Sequence, residues 1–236
     1  MKKNILISLV LFAFASCNNV EKISLTKLEG SQDYSEAKLS LNDFNENGNN
    51  EFTFKVENYE LGIQTDNKFK SRLANSSKGQ HIHFIVNNGP YSAHYTKNFQ
   101  KNLKDGNNVI LAFLSRSYHE SVKNPEAYIF TQIGEGEKID MENEYLFYSR
   151  PKGSYTGKDS ERLLLDFYLV NTSLSSDGNK VRVTIQDSEF IIDEWAPYII
   201  QGLPKGEISI KLELLDPYGE LIENPFNPSI RKVTLK

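Results

Sequence analysis

The sequence lacks several features that would assign it to particular classes of protein. It has one cysteine in 236 residues, so no internal disulfide can form and stability must come from hydrophobic cores. It contains no uninterrupted apolar run of the ~18 residues that a permanent membrane helix needs. With 27 basic and 31 acidic residues, it also lacks the basic surplus that neutralises nucleic-acid phosphates. We therefore expect no nucleic acid among its partners.

Recognisable catalytic motifs are missing as well. The sequence has no Gly-x-Ser-x-Gly nucleophile elbow, dinucleotide fingerprint or phosphate-binding glycine loop. The candidate catalytic triad of a hydrolase is Ser115 or Ser117 with His119 and Glu120. Such a triad requires a serine hydroxyl within hydrogen-bond distance of the imidazole. We therefore expect a protein that binds rather than catalyses.

The first seventeen residues have the pattern of an export signal. Two lysines precede the apolar segment 5–14, and small residues then lead to Cys17. The segment resembles the lipobox of bacterial lipoproteins, which implies removal of residues 1–16 and acylation of Cys17, including diacylation of its sulfur. The polar residues 17–27 are then a tether. This resemblance implies a bacterial envelope protein anchored by lipid in the outer membrane, with its folded part in the periplasm or at the cell surface.

The rest of the sequence contains the same unit twice. Three pairs of segments match in the same order, about 100 residues apart: 79–86 with 178–185, 103–106 with 203–206, and 124–125 with 224–225. Each unit consists of short runs of alternating apolar and polar residues separated by Gly, Asn, Asp and Pro turn signals. The sequence therefore predicts an all-β protein with two tandem Ig-like β-sandwich domains related by internal duplication. We assign them to residues 28–133 and 148–236, joined by a linker at 134–147.

The histidines are confined to the first unit: His81, His83, His94 and His119. His81 and His83 lie two residues apart in a predicted strand, which places both on one face of its sheet. The equivalent positions of the second unit are Lys180 and Arg182, which are costly to bury unpaired. We therefore expect this face to be open to solvent or to a partner. The alternate residues, Ile82, Phe84 and Val86, are expected in the core.

These imidazoles form a candidate metal site. Imidazole nitrogen is a common ligand of zinc and copper, and two histidines alternating on a strand can present two ligands together. His94 lies on the predicted returning strand, and His119 follows the apolar run 109–114. A specific site for zinc or copper requires at least three of the four to converge. The alternatives are a polar partner-binding face and histidines without a common role.

A second candidate site surrounds the same histidines. The segment 114–122 resembles the Ser-x-x-His element of the FHA fold, a phosphothreonine-binding sandwich. This resemblance implies that Ser115 and Arg116 hold a phosphate and that His119 braces the loop. More generally, we expect an exposed face that binds a protein, peptide or glycan through these side chains: Tyr91, Tyr95, Ser115, Arg116, Ser117 and Tyr118.

The chain as a whole resembles a group of bacterial envelope lipoproteins of unassigned activity, some of them labelled phosphopeptide-binding. Four segments carry the resemblance: 78–83, 89–94, 112–121 and 194–198. The resemblance implies the envelope location and the duplicated β architecture, but it names no reaction. Sequence alone thus predicts a lipid-anchored, non-catalytic binding protein, with transition-metal binding and phosphopeptide binding as alternatives.

Overall fold

A computed structural model describes residues 22–46, 50–66 and 72–236. The predicted signal peptide at 1–16, Cys17 and the start of the predicted tether lie outside these described residues. Within the described ranges, the regular structure consists of β-strands and a single-turn 3₁₀ helix at Gly157–Ser160. No helix in these ranges is both long and apolar enough to cross a membrane.

The strands, in chain order, are β1 (Ser24–Lys27), β2 (Lys38–Asn45), β3 (Glu51–Glu57), β4 (His81–Val86), β5 (Ser92–His94), β6 (Asn98–Gln100), β7 (Asn108–Ser115), β8 (Tyr128–Ile133), β9 (Tyr145–Arg150), β10 (Gly153–Tyr155), β11 (Leu163–Val170), β12 (Lys180–Ile185), β13 (Ser188–Ile192), β14 (Tyr198–Gln201), β15 (Gly206–Leu215) and β16 (Ser229–Leu235). They form two β-sandwiches, which confirms the predicted fold class.

The first sandwich packs a three-stranded sheet against a four-stranded sheet. Their strand orders are β2-β3-β6 and β5-β4-β7-β8. Phe52 and Phe54 on β3 pack against Ile82 and Phe84 on β4 in one hydrophobic core, as the period-two alternation predicts. Every residue of β7 is buried, so this central strand is covered on both faces.

The second sandwich repeats this strand order. Its sheets are β1-β14-β11-β9 and β10-β16-β15-β12-β13. Strands β9, β11 and β14 therefore correspond to β2, β3 and β6, while β13, β12, β15 and β16 correspond to β5, β4, β7 and β8. Only β1 and β10 are additional within the described residues. The shared order supports the duplication that the sequence predicts.

The turn after the central strand is also repeated. In the first sandwich, the amide of His119 donates to Arg116 O and the amide of Val122 donates to Leu114 O. In the second, Gly219 donates to Asp216 O and Ile222 donates to Leu214 O, at positions 100 residues later. This correspondence places His119 opposite Gly219.

Two predicted boundaries need correction. Residues Ser24–Lys27 are not part of a free tether, because they form β1 and pair antiparallel with β14 of the second sandwich. Residues 145–147 of the predicted linker belong to β9, and all three are buried. In both places, residues without a clear periodic pattern gain backbone hydrogen bonds or packing from a distant part of the chain.

The two sandwiches pack sheet against sheet. The outer face of β4 and β7, including Ile85, Leu111 and Phe113, contacts Phe147 on β9 and Tyr168 on β11 in one apolar cluster. The rings of Phe113 and Tyr168 are stacked, with centroids 4.6 Å apart. Strand β4 is therefore covered on both faces, by its own core on one side and by the second sandwich on the other.

Candidate metal centre

His81 and His83 lie on the face of β4 that contacts the second sandwich. Both residues are 0% exposed, so the prediction that this face is open to solvent or to a partner is wrong. Their equivalents on β12, Lys180 and Arg182, remain partly exposed. The two copies differ because only the first presents this face to another sandwich.

His119 reaches the same point from the turn after β7. Its backbone φ is +72°, in the left-handed region that favours glycine, and the equivalent Gly219 has a φ of +86°. Holding a side chain with a Cβ in this conformation costs about 1–2 kcal/mol. The first sandwich therefore keeps an imidazole at a position where the second has the residue that the backbone prefers.

The structure brings together three histidines, His81, His83 and His119, here called the histidine triad. Each offers one ring nitrogen, and these three nitrogens lie within 4.8 Å of one another. His83 Nε2 is 2.9 Å from His81 Nε2, and His81 Nε2 is 3.1 Å from His119 Nδ1. A zinc or copper ion bound by imidazoles has metal–nitrogen distances of about 2.0–2.1 Å. The triad nitrogens are close enough for one ion to contact all three after small shifts.

Hydrogen bonds orient the two strand imidazoles. His81 Nδ1 lies 2.8 Å from the carbonyl of Gly79. Because a carbonyl only accepts, Nδ1 carries the proton, and the lone pair of Nε2 points toward the other triad nitrogens. His83 Nδ1 lies 3.2 Å from Ser149 Oγ, a side chain of β9 in the second sandwich. Bonds of this kind from the distal ring nitrogen orient histidine ligands in metal proteins.

The triad imidazoles are held in their neutral, ligating form. Burial lowers the pKa of His81 from 6.5 to about 4, and burial also places the pKa values of His83 and His119 well below that ordinary value. The nearby cations Arg150 and Lys152 lower all three further. At neutral pH the rings therefore need lose no proton before binding a metal ion.

Two tyrosines enclose the triad. The ring of Tyr91 lies parallel to that of His83, with centroids 3.5 Å apart, and its hydroxyl is 3.2 Å from His119 Nδ1. The ring of Tyr95 lies 5.0 Å from that of His81, while its hydroxyl is hydrogen-bonded to Ser76. Of the triad, His119 is partly exposed, so it lies where an ion would enter from solvent.

His94 does not join the triad, which corrects the four-histidine prediction. In the antiparallel register, His94 pairs with Ile82, so its side chain points to the core face rather than to the face of His81 and His83. Its ring stacks on Phe99 with centroids 3.4 Å apart, and its Nε2 is 2.8 Å from Ser92 Oγ.

The predicted exposed binding face is largely buried. Tyr91, Ser115, Ser117 and Tyr118 are all inaccessible or nearly so, and Tyr95 is half-buried. These residues lie around the triad or under the turn after β7, where they support local structure. The prediction of an exposed patch is therefore wrong, because it treated a sequence-local cluster as surface.

Arg116 is not free to hold a phosphate. It is 5% exposed, its guanidinium lies 3.2 Å from the carboxylate of Glu120, and it donates to the carbonyl of Ser121. The hydroxyl of Ser115 donates to backbone carbonyls, and that of Ser117 accepts from the amide of Thr65. These contacts stabilise the turn, and they support neither the phosphate site nor the serine–histidine arrangement of a hydrolase.

Sequence reasoning missed the residues of the second sandwich that complete the site. Ser149 contacts His83, and Lys152 donates to the carbonyl of Tyr91 at 2.6 Å. Nothing local in the sequence predicts that 149–152 meets β4. The alignment of His119 with Gly219 was available from the repeat and is the signal that could have singled out His119.

Comparisons with known proteins do not assign a family. No family model matches the chain, and no curated protein matches it. Among solved structures, it is similar to the fibronectin(III)-like modules of Clostridium thermocellum CbhA, with 10% identity, a TM-score of 0.31, and coverage of 91% of this chain and 94% of that one. It is also similar to the central fibronectin-III array of RIM-binding protein, with 9% identity, a TM-score of 0.28, and coverage of 84% of this chain and 68% of that one. A third similar structure is Bacteroides ovatus SGBP-B in complex with a mixed-linkage heptasaccharide, with 10% identity, a TM-score of 0.22, and coverage of 79% of this chain and 63% of that one.

Proposed function

We propose that this protein is a lipid-anchored envelope protein that binds one transition-metal ion, zinc or copper, through the histidine triad. The observation that carries the proposal is the convergence of three neutral imidazoles within 4.8 Å of one another, of which two are buried and that of His119 is partly exposed. Its role is binding or delivery of the ion rather than catalysis, since the hydroxyls of Ser115 and Ser117, the candidate nucleophiles, are hydrogen-bonded to backbone groups.

Two further features favour a metal site over histidines without a common role. The backbone of His119 is held at positive φ although glycine occupies the equivalent position in the second sandwich, and such cost is typically retained at functional positions. In addition, the distal nitrogen of His81 is fixed by Gly79 O and that of His83 lies beside Ser149. The site is therefore oriented before an ion binds.

The test is metal analysis of the full chain purified in detergent. After equilibration with zinc or copper and removal of the excess, we expect about one ion per chain from the three-ligand geometry. Replacing both strand ligands, His81→Ala and His83→Ala, removes it. His94→Ala is the matched control and retains the ion, because His94 faces the other side of the sheet.

Thermal unfolding provides a readout that depends on folding as well as on metal content. An ion present at one hundred times its dissociation constant stabilises the folded state by about 2.7 kcal/mol, which raises the midpoint of a chain of this size by roughly 5–10 °C. The double variant should fold but show no such rise. Equal metal content in the wild type and the double variant, or no bound ion in the wild type, contradicts the proposal.

The lipid anchor and the outer-membrane location are part of the same proposal and rest on residues 1–17 of the sequence. Two or three acyl chains, at about 0.8 kcal/mol per buried methylene, would hold the chain at the membrane. Palmitate labelling followed by membrane fractionation tests this. We expect the wild type to carry label in the membrane fraction, and Cys17→Ala to carry none.

A further inference from the structure

The hydroxyl of Tyr91 belongs to the same group of atoms as the triad nitrogens. Tyr91 follows the turn after β4 and is 4% exposed, with its hydroxyl oxygen 3.2 Å from His119 Nδ1. Its ring is parallel to His83 at a centroid distance of 3.5 Å, which limits the directions in which the hydroxyl can move. An inference about this oxygen rests on the proposed metal site.

The spacing of these four atoms is compatible with binding to one metal ion. Taken in sequence around the site, His83 Nε2 to His81 Nε2 is 2.9 Å, His81 Nε2 to His119 Nδ1 is 3.1 Å, and His119 Nδ1 to Tyr91 Oη is 3.2 Å. With metal–ligand bonds of about 2.0–2.1 Å, neighbouring ligands are about 2.9 Å apart in a square plane and about 3.4 Å apart in a tetrahedron. The first spacing equals the square-planar value, and the other two lie between the square-planar and tetrahedral values.

The charges around the site favour an anionic fourth ligand. The ammonium of Lys152 lies 3.6 Å from the centroid of the Tyr91 ring, and the guanidinium of Arg150 lies 5.9 Å from it. The nearest carboxylate on the His119 turn, that of Glu120, is paired with Arg116. A divalent ion held by three neutral imidazoles would leave two positive charges buried beside these cations. A phenolate would cancel one of them.

We propose that Tyr91 Oη is the fourth ligand and that the site is a tetragonal three-nitrogen, one-oxygen centre for copper(II). This ligand set and geometry are those that copper(II) prefers. The phenol loses its proton to solvent as the copper–oxygen bond forms, so the phenolate and copper(II) combine without any change of oxidation state. Tyr91 thus gives a site of neutral imidazoles the negative charge that a divalent ion requires.

The test adds copper(II) alone to the full chain in detergent and records its visible absorption and electron paramagnetic resonance spectra. We expect an axial copper signal coupled to nitrogen and a phenolate-to-copper charge-transfer band. Tyr91→Phe keeps the ring stack on His83 but removes the oxygen. It should abolish the band and lower copper affinity by about tenfold or more, while the imidazoles still bind the ion.

Tyr95→Phe is the matched control, because Tyr95 also contacts the triad but its hydroxyl is hydrogen-bonded to Ser76. The charge-transfer band should be unchanged in this variant. Resonance Raman excitation within the band should show tyrosinate ring modes in the wild type, which tests the ligand without any variant. Copper bound without the band, or a band that survives in Tyr91→Phe, overturns the fourth ligand and leaves the three-histidine site standing. A wild-type protein that binds neither copper nor zinc overturns both proposals.

Discussion

Acidification should destabilise the metal-free protein through the triad imidazoles. Burial depresses the folded-state pKa of His81 to about 4, whereas the unfolded chain titrates near 6.5. Above pH 6.5 both states are neutral, and this group adds no pH dependence to the free energy of unfolding. As the pH falls from 6.5 towards 4, the unfolded chain binds a proton that the folded chain excludes, so stability falls.

The structure sets the size of this effect. The interval between 6.5 and about 4 corresponds to about 3 kcal/mol at 1.36 kcal/mol per pH unit. His83 and His119 act in the same direction, because their pKa values are also depressed by burial. A loss of this size is a large part of the about 5–15 kcal/mol by which domains are usually stable.

Urea unfolding of the chelator-treated full chain, measured from above pH 6.5 down to about 4, provides the assay. Carboxylates titrate in the lower part of this range, so the informative quantity is the difference between the wild type and His81→Gln, which keeps a polar side chain but does not titrate. We expect the stability of the wild type to fall more steeply with acidification than that of the variant. A difference that stays constant across the range would refute the assignment of His81 as a buried neutral imidazole.

Two further substitutions test the surroundings of the site. Ser149→Ala removes the hydroxyl that contacts His83 from the second sandwich, and it should lower metal affinity by about 10- to 100-fold in a metal titration. Ser154→Ala, at an exposed position on β10, should leave metal affinity unchanged. Glu120→Ala leaves the buried charge of Arg116 uncompensated and should reduce the free energy of unfolding by about 3–5 kcal/mol in urea. Glu126→Ala removes an exposed ion pair and should cost less than about 1 kcal/mol; equal costs for the two glutamates would contradict this account of Arg116.

The strands and their inward faces were predictable because the signal is local. Alternation in segments such as 52–56 and 81–86 fixes which residues point to a sandwich core, since successive side chains of a strand point to opposite faces. The sequence match between the two units also made the overall fold predictable, because strands inferred in one unit are supported by matching strands in the other. The observed strand orders agree with that duplication.

The candidate site was only partly predictable. The His-x-His pattern on β4 identified two members of the histidine triad and their common face, and His119 was among the candidates. His94 was misassigned, because the register that pairs it with Ile82 depends on the geometry of the turn between β4 and β5. Tyr91 was named as a contact residue on an exposed face, whereas its position beside His119 depends on the three-dimensional path of that same turn.

By itself, the sequence determined an all-β chain of two related units, the residues of each core, and the location of every histidine in the first unit. The tertiary structure decided that the outer face of β4 is covered by β9 and β11. The histidines expected at the surface therefore form a neutral triad in which only His119 is partly exposed. The physical reason is that alternation records which residues share a face of a strand. It does not record what packs against the second face, because that depends on contacts between residues far apart in the chain, such as His83 with Ser149.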